Sequence, residues 1–147
     1  PIGPRHNAAV NRANRALVGA VGNQAIVQVQ GSIRLDLSSE PQPDLVLLRP
    51  EPDFYASRLP GPADILLIVE VAESSIDYGS EVKARLYATA GVREYWLADL
   101  TTGTVTRSSA PSGGAYQRRQ QHRSGELIAP DALPLCDIPV EALLAGS

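Results

Sequence analysis

The chain has almost no cysteine, almost no lysine and no long apolar run. Cys136 is the only cysteine among 147 residues, which excludes an internal disulfide and leaves no second thiol for a zinc site. Flanked by Leu135 and Asp137, it reads as a small buried packing residue. A thiol used this way points to a reducing, cytoplasmic setting. No apolar stretch approaches the ~20 residues needed to cross a bilayer. The longest, Ile65 to Val69, fits a buried strand, so no membrane association is expected. The opening Pro1-Ile2-Gly3-Pro4-Arg5-His6 has no basic stretch leading into an apolar export segment. Positive charge is not in excess either. A net charge of −3 and a pI near 5.3 count against tight, non-specific nucleic-acid binding. They leave room for an enzyme that grips a short stretch of phosphate locally.

What is present suits one folded domain: 44% hydrophobic and 20% charged residues, in a chain long enough to bury most of its unfolded surface. Of the 13 basic residues, all but Lys83 are arginine. The retained lysine draws attention, because an ammonium is a compact charge that can sit against a water or phosphate oxygen.

Hydrophobic spacing predicts a helix over 7–21, with Val10, Ala13, Leu17 and Ala20 on one face, Asn7 as cap and Gly22-Asn23 as stop. Arg12 and Arg15 share its solvated side. Strict alternation predicts a half-buried strand over 26–37, its inner face formed by Val27, Val29, Ile33, Leu35 and Leu37, with a bend at Gly31. Residues 38–43 form a turn. The continuous apolar runs 45–48 and 65–69 fit strands covered on both faces. The proline-rich segment 50–64 between them is long enough for a lid, an interface or a surface excursion. Residues 78–90 predict a helix with Val82, Leu86 and Ala90 as core stripe, closed by Gly91. A strand at 94–98 follows, implying a right-handed parallel crossover. A hairpin comes next, from 104–108 and 115–121 around Pro111-Ser112-Gly113-Gly114. Residues 140–144 read as a last helical turn.

Three residues carry the chemistry. Glu70 ends a run of five aliphatics, where an unpaired carboxylate would cost several kcal/mol, so it requires a cationic partner or a metal. The plain alternative is an ion pair with Arg49 or Arg34. Asp44 opens the preceding strand and would lie beside Glu70 if the two strands are adjacent. Two converging carboxylates repel unless a cation lies between them, and oxygen ligands suit Mg2+ or Mn2+. Lys83 lies about 100° from the predicted core stripe, where it can lean toward the sheet over the small Ala72. Tyr87 shares its face four residues on.

The matching stretches are Ser39-Glu40-Pro41-Gln42-Pro43-Asp44-Leu45, then Val69-Glu70-Val71 with Ser74-Ser75, then Glu81-Val82-Lys83 with Leu86-Tyr87-Ala88. They end on Ala90-Gly91-Val92-Arg93-Glu94-Tyr95-Trp96-Leu97-Ala98-Asp99. In this order and spacing the chain resembles the PD-(D/E)xK nuclease superfamily, and within it the Uma-type family of restriction-endonuclease-like proteins. The likeness runs from about Pro4 to Leu144. It implies a single α/β (α+β) domain, restriction-endonuclease-like, with a mixed central sheet flanked by helices and a C-terminal hairpin. It also implies metal-dependent endonuclease action on DNA, with Asp44 and Glu70 as ligands to Mg2+ or Mn2+, the Val71 carbonyl helping, and Lys83 completing the catalytic set. Tyr87, His6 and Glu40 are accessory candidates. No organic cofactor is implied, and homodimers are common among such nucleases.

The chain departs from the pattern at three points. The usual superfamily lysine position, two residues after the acid, is Ala72. Relatives carry an aspartate four residues before the helix lysine, where this chain has Gly79 with Asp77 or Ser80 as caps. Relatives also carry an acidic front segment before the His6 region. A catalytically degenerate descendant that binds nucleic acid or protein on the same scaffold is the second reading.

Overall fold

The computed structural model describes residues 3–73 and 77–144. Ser74 and Ser75 of the motif lie outside them, as do the side chains of Asp77 and Tyr78. Helix α1 (Pro4–Val21) starts three residues earlier than its polar pattern suggested. Pro4 occupies the first turn behind Gly3, where its missing N–H and fixed φ suit a helix start. Asn7 is therefore inside the helix rather than capping it, and His6 sits in the first turn. Gly22, at φ +53°, ends the helix as expected.

Six strands form one mixed sheet in sequential order: β1 (Ile26–Val29), β2 (Leu45–Leu48), β3 (Ile65–Ala72), β4 (Glu94–Asp99), β5 (Thr104–Ser112) and β6 (Ala115–Arg123). The β3–β4 pair is parallel and every other pair antiparallel. Helix α2 (Asp77–Thr89) makes the β3–β4 crossover. A short second sheet, β7 (Leu127–Ile128) with β8 (Ile138–Pro139), and a 3-10 turn at Val140–Leu143 close the chain. The β5–β6 hairpin turns on Gly113 and Gly114, with φ +62° and +80°. Both positions of a tight hairpin turn of this hand require positive φ, which glycine adopts without steric cost.

The two faces of the sheet bury different halves of the same strands. Leu45, Leu47, Leu67, Val69, Val71 and Trp96 pack with α1 and the C-terminal segment. Val46, Leu48, Ile65, Ile68 and Tyr95 pack with Ala84 and Tyr87 of α2. Coverage of both faces is why β2 and β3 read as unbroken apolar runs rather than alternating ones.

Three expectations are corrected. The strand over 26–37 stops at Val29. Gln30 turns to φ 53°, and the chain leaves the sheet. Ile33 and Leu35 are still buried, their amides donating to Pro41 O and Ser39 O, but Leu37 is 96% exposed. Period-two alternation reports extended backbone with one buried side, and loop carbonyls can satisfy such a segment as a neighbouring strand would. The core stripe of α2 is Ala84, Tyr87 and Ala88, not Val82, which is 47% exposed; Leu86 and Ala90 are half-buried at its margin. The face is set by the bulk of Tyr87, whose hydroxyl has a buried partner. Finally, the 50–64 segment is tied down at the start of β3. Arg49 and Arg58 both pair with Asp64 at 2.7 Å, and the Tyr55 hydroxyl donates to Arg49 O. Glu70 lies six residues along the strand, about 20 Å away, so this segment does not cover it.

Candidate active site

Because β2 and β3 are antiparallel with Leu45 opposite Val69, one further step of register sets Asp44 opposite Glu70. The backbone bonds follow. The Asp44 amide donates to Glu70 Oε1 at 3.3 Å, and the Val71 amide donates to Asp44 Oδ2 at 2.9 Å. Each acid is thus anchored by the strand that carries the other. His6, projecting from the first turn of α1, brings Nε2 to 3.2 Å from the same Asp44 Oδ2. Arg5 fixes that helix start by donating to Leu100 O at the far end of β4.

The opposite face supplies the rest. Strand alternation turns Glu70 toward α2, where the Tyr87 hydroxyl donates to Glu70 Oε2 at 2.6 Å and Lys83 Nζ stands 3.6 Å from the same oxygen. The rigid end of α2 holds Tyr87 in place. Gly91, at φ +81°, lets its own amide and that of Val92 return to Ala88 O and Tyr87 O, a glycine-dependent helix stop. Lys83 is one residue before the true core stripe and four before Tyr87, which keeps it on the margin facing Glu70. Its side chain is 52% exposed while that of Glu70 is 6% exposed.

This environment opposes ionisation of Glu70. Burial pushes its carboxyl up from the usual range and the neighbouring Asp44 charge pushes the same way, while Lys83 and the Tyr87 hydroxyl pull it down. The Tyr87 hydroxyl is itself raised well above its ordinary value, first by burial and then by Glu70. The arginines that offered the plain alternative are engaged elsewhere: Arg49 with Asp64, and Arg34 with Glu40. Glu40 accordingly sits at the surface with Arg34 and is not drawn to the acidic pair.

A cavity of about 200 Å³ opens beside Glu70, walled by Ala72, Gly79, Lys83, Tyr95 and Leu97. A Cβ at Gly79 would meet nothing within 4 Å, so the backbone here leaves space at the mouth. Among the described residues no group of three or more His, Cys, Asp and Glu forms a metal cluster. The donor set still fits a hard divalent cation. Two carboxylates converge, Asp44 Oδ1 takes no hydrogen bond among the described residues, and oxygen ligands with water filling the shell suit Mg2+ or Mn2+.

Sequence reasoning missed Tyr95. Its ring packs edge-on to Tyr87 with centroids 5.2 Å apart, and its buried hydroxyl has no hydrogen-bond partner. Only the register reveals it: Tyr95 pairs with Ile68, two residues from Glu70 on the same face.

Comparison with known proteins agrees with this architecture. A crystal structure described as "a putative nuclease belonging to DUF820 from Anabaena variabilis ATCC 29413" superposes with a TM-score of 0.75 over 97% of this chain and 81% of that one, at 15% identity. At that identity the likeness is one of fold. No curated protein matches the chain. The Uma2 family, described as "putative restriction endonuclease", matches residues 1–141, and the chain belongs to that family.

Proposed function

We propose that this chain is a divalent-metal-dependent endonuclease that hydrolyses DNA phosphodiester bonds at the Asp44–Glu70–Lys83 site. The observation that carries the reading is Glu70, a buried carboxylate bracketed by the Asp44 amide, the Tyr87 hydroxyl and the Lys83 ammonium. Burying such a group is costly, and a merely structural acid would be better replaced by an apolar residue.

Asp44 and Glu70, with the Val71 carbonyl, would hold Mg2+ or Mn2+. The bound cation supplies Lewis-acid polarisation of a phosphoryl oxygen and lowers the pKa of water. The protein's own groups do the positioning. The Val71 amide and His6 fix Asp44, and Tyr87 fixes Glu70 from behind. Lys83, with its head half in solvent, orients an attacking water and meets negative charge as it develops on the phosphoryl oxygens. A duplex presents two strands, which favours a homodimer as the acting form. A cytoplasmic setting accords with the single, reduced Cys136.

Nicking of supercoiled plasmid with Mg2+ or Mn2+ tests the proposal. Wild type is expected to cleave, Glu70→Ala and Lys83→Ala to lose activity, and Lys83→Arg to fall at least ~10-fold, because a planar guanidinium cannot replace a compact ammonium. Equal cleavage by all four proteins, or none by wild type, would overturn it.

A further inference from the structure

The α2 face of the sheet continues past the acidic site into a second cleft. Its volume is about 440 Å³, and Tyr95, Leu97 and Ser80 line both cavities. Register explains the continuity. Glu70 pairs with Leu97, Leu97 with Thr106 and Thr106 with Gln121, so one straight row of same-face residues runs from Glu70 to the sheet edge. At the usual strand spacing that row is about 14 Å long. The flanking rows end Asp99–Thr104–Arg123 and Tyr95–Ser108–Arg119. Beyond Leu97 the floor of the cleft is therefore hydroxyl, amide and guanidinium: Thr104, Thr106, Ser108, Arg119, Gln121 and Arg123.

Charge is segregated in the same place. Although the whole chain carries −3, no Asp or Glu occurs from Leu100 through Gly125, a segment with four arginines. Two acids line the cleft. Asp99 Oδ1 accepts the amides of Thr101 and Thr102. Glu81, on α2, reaches Arg119 across the opening at 3.2 Å, in an ion pair whose side chains are both about half exposed. Such exposed pairs contribute little and exchange readily. Arg123 has no ion-pair partner among the described residues. Where the cleft meets the site cavity lies Tyr95, with its buried, unpartnered hydroxyl. An orphan of this kind calls for a bound group or water.

Building on the nuclease reading above, we infer that this cleft is the track for the sugar–phosphate backbone of the nucleic-acid strand leading away from the scissile bond, with Arg119 and Arg123 as its phosphate contacts. Entering phosphate takes Arg119 from Glu81. Same-face side chains on β6 repeat about every 7 Å, so Arg119, Gln121 and Arg123 present a ladder of donors rather than one point of charge. Backbone contacts of this kind position a strand without reading its sequence.

The test is fluorescence anisotropy of a labelled 20-base-pair DNA, and of its single strand, against the full chain in EDTA over a series of KCl concentrations. Arg119→Gln/Arg123→Gln is expected to weaken binding at least ~10-fold and to reduce the slope of log K against log salt by about 1 to 2. Glu81→Gln should tighten binding several-fold. Arg12→Gln/Arg15→Gln removes the same charge from α1 on the other face and should leave the slope within about 0.5 of wild type. The track is overturned if the β6 double variant binds and cleaves like wild type, or if the α1 variant shows the larger loss; metal-dependent nicking by wild type would then still stand. If wild type binds neither DNA and nicks no plasmid, the nuclease reading fails as well.

Discussion

The Tyr87 hydroxyl donates to Glu70 Oε2 at 2.6 Å, joining the core stripe of α2 to the buried acid at the end of β3. Removing that hydroxyl should release the carboxylate while leaving the ring packed. Tyr87→Phe is expected to fold with a stability change of about 1 kcal/mol. Its half-activating concentration of Mn2+ should rise roughly 10-fold, the usual effect of losing a group that orients a ligand. A metal titration of plasmid nicking measures this, and an unchanged midpoint would remove Tyr87 from the site's support.

Glu70 is costly to the metal-free fold. Its carboxylate is buried and faces Asp44, and one half-exposed lysine offsets this only in part. Glu70→Gln keeps the shape and removes the charge. Without metal it should raise stability by about 1 kcal/mol, roughly 3 °C in Tm, while abolishing cleavage. Thermal unfolding in EDTA reads the difference. A lowered Tm would mean that Glu70 holds the fold together rather than waiting for a cation.

Asp64 has the opposite sign. The Arg58 guanidinium holds its carboxyl well below the usual range, helped by the Gly61 amide and Arg49. The unfolded chain takes up its proton near pH 4, before the folded chain does. The stabilisation is therefore complete above about pH 4 and is lost as pH falls through the lower folded value. Asp64→Asn should cost about 1–3 kcal/mol at pH 7, a modest figure because both arginines are half exposed. Urea unfolding between pH 2.5 and 7 should show the two proteins converging in acid; a gap independent of pH would exclude this ion pair as its source.

Glu94 is fully buried, accepting from Trp96 Nε1 at 2.7 Å and the Asp131 amide at 2.8 Å, with Arg107 Nε at 2.9 Å. It ties the 129–131 loop to the sheet, and Arg107 also donates to Ala129 O. Glu94→Ala leaves Arg107 without its buried partner and should cost about 3–5 kcal/mol. Because Trp96 is the only tryptophan, its fluorescence reports the loosening directly. Stability within 1 kcal/mol of wild type would contradict the network's role.

Much of the architecture was legible because local chemistry and fold agree. Gly22, Gly91 and Gly113-Gly114 punctuate the chain where positive φ is needed. The apolar runs of β2 and β3 announce strands covered on both sides, and the lone Lys83 does reach Glu70. Other parts were not legible. Ile33 and Leu35 alternate as a strand does but pair with loop carbonyls, since alternation records burial and not the identity of the hydrogen-bond partner. The stripe of α2 was misplaced because Val82 is more apolar than Ala84, whereas bulk and the Tyr87 hydroxyl orient the helix.

By itself the sequence determined which residues could carry chemistry: an acid after five aliphatics, a second acid opening the strand before it, and a single lysine on the helix that follows. Those are properties of residue type and spacing. Only the tertiary structure decided how they meet. The antiparallel register of β2 on β3 puts each acid on the other's backbone amide. The start of α1 at Pro4 brings His6 to Asp44. The sequential order of β3 to β6 lines Glu70 up with Leu97, Thr106 and Gln121, which are far apart along the chain. Strand order and register are set by the packing of whole sheet faces, a sum over the two cores that no local window of residues contains.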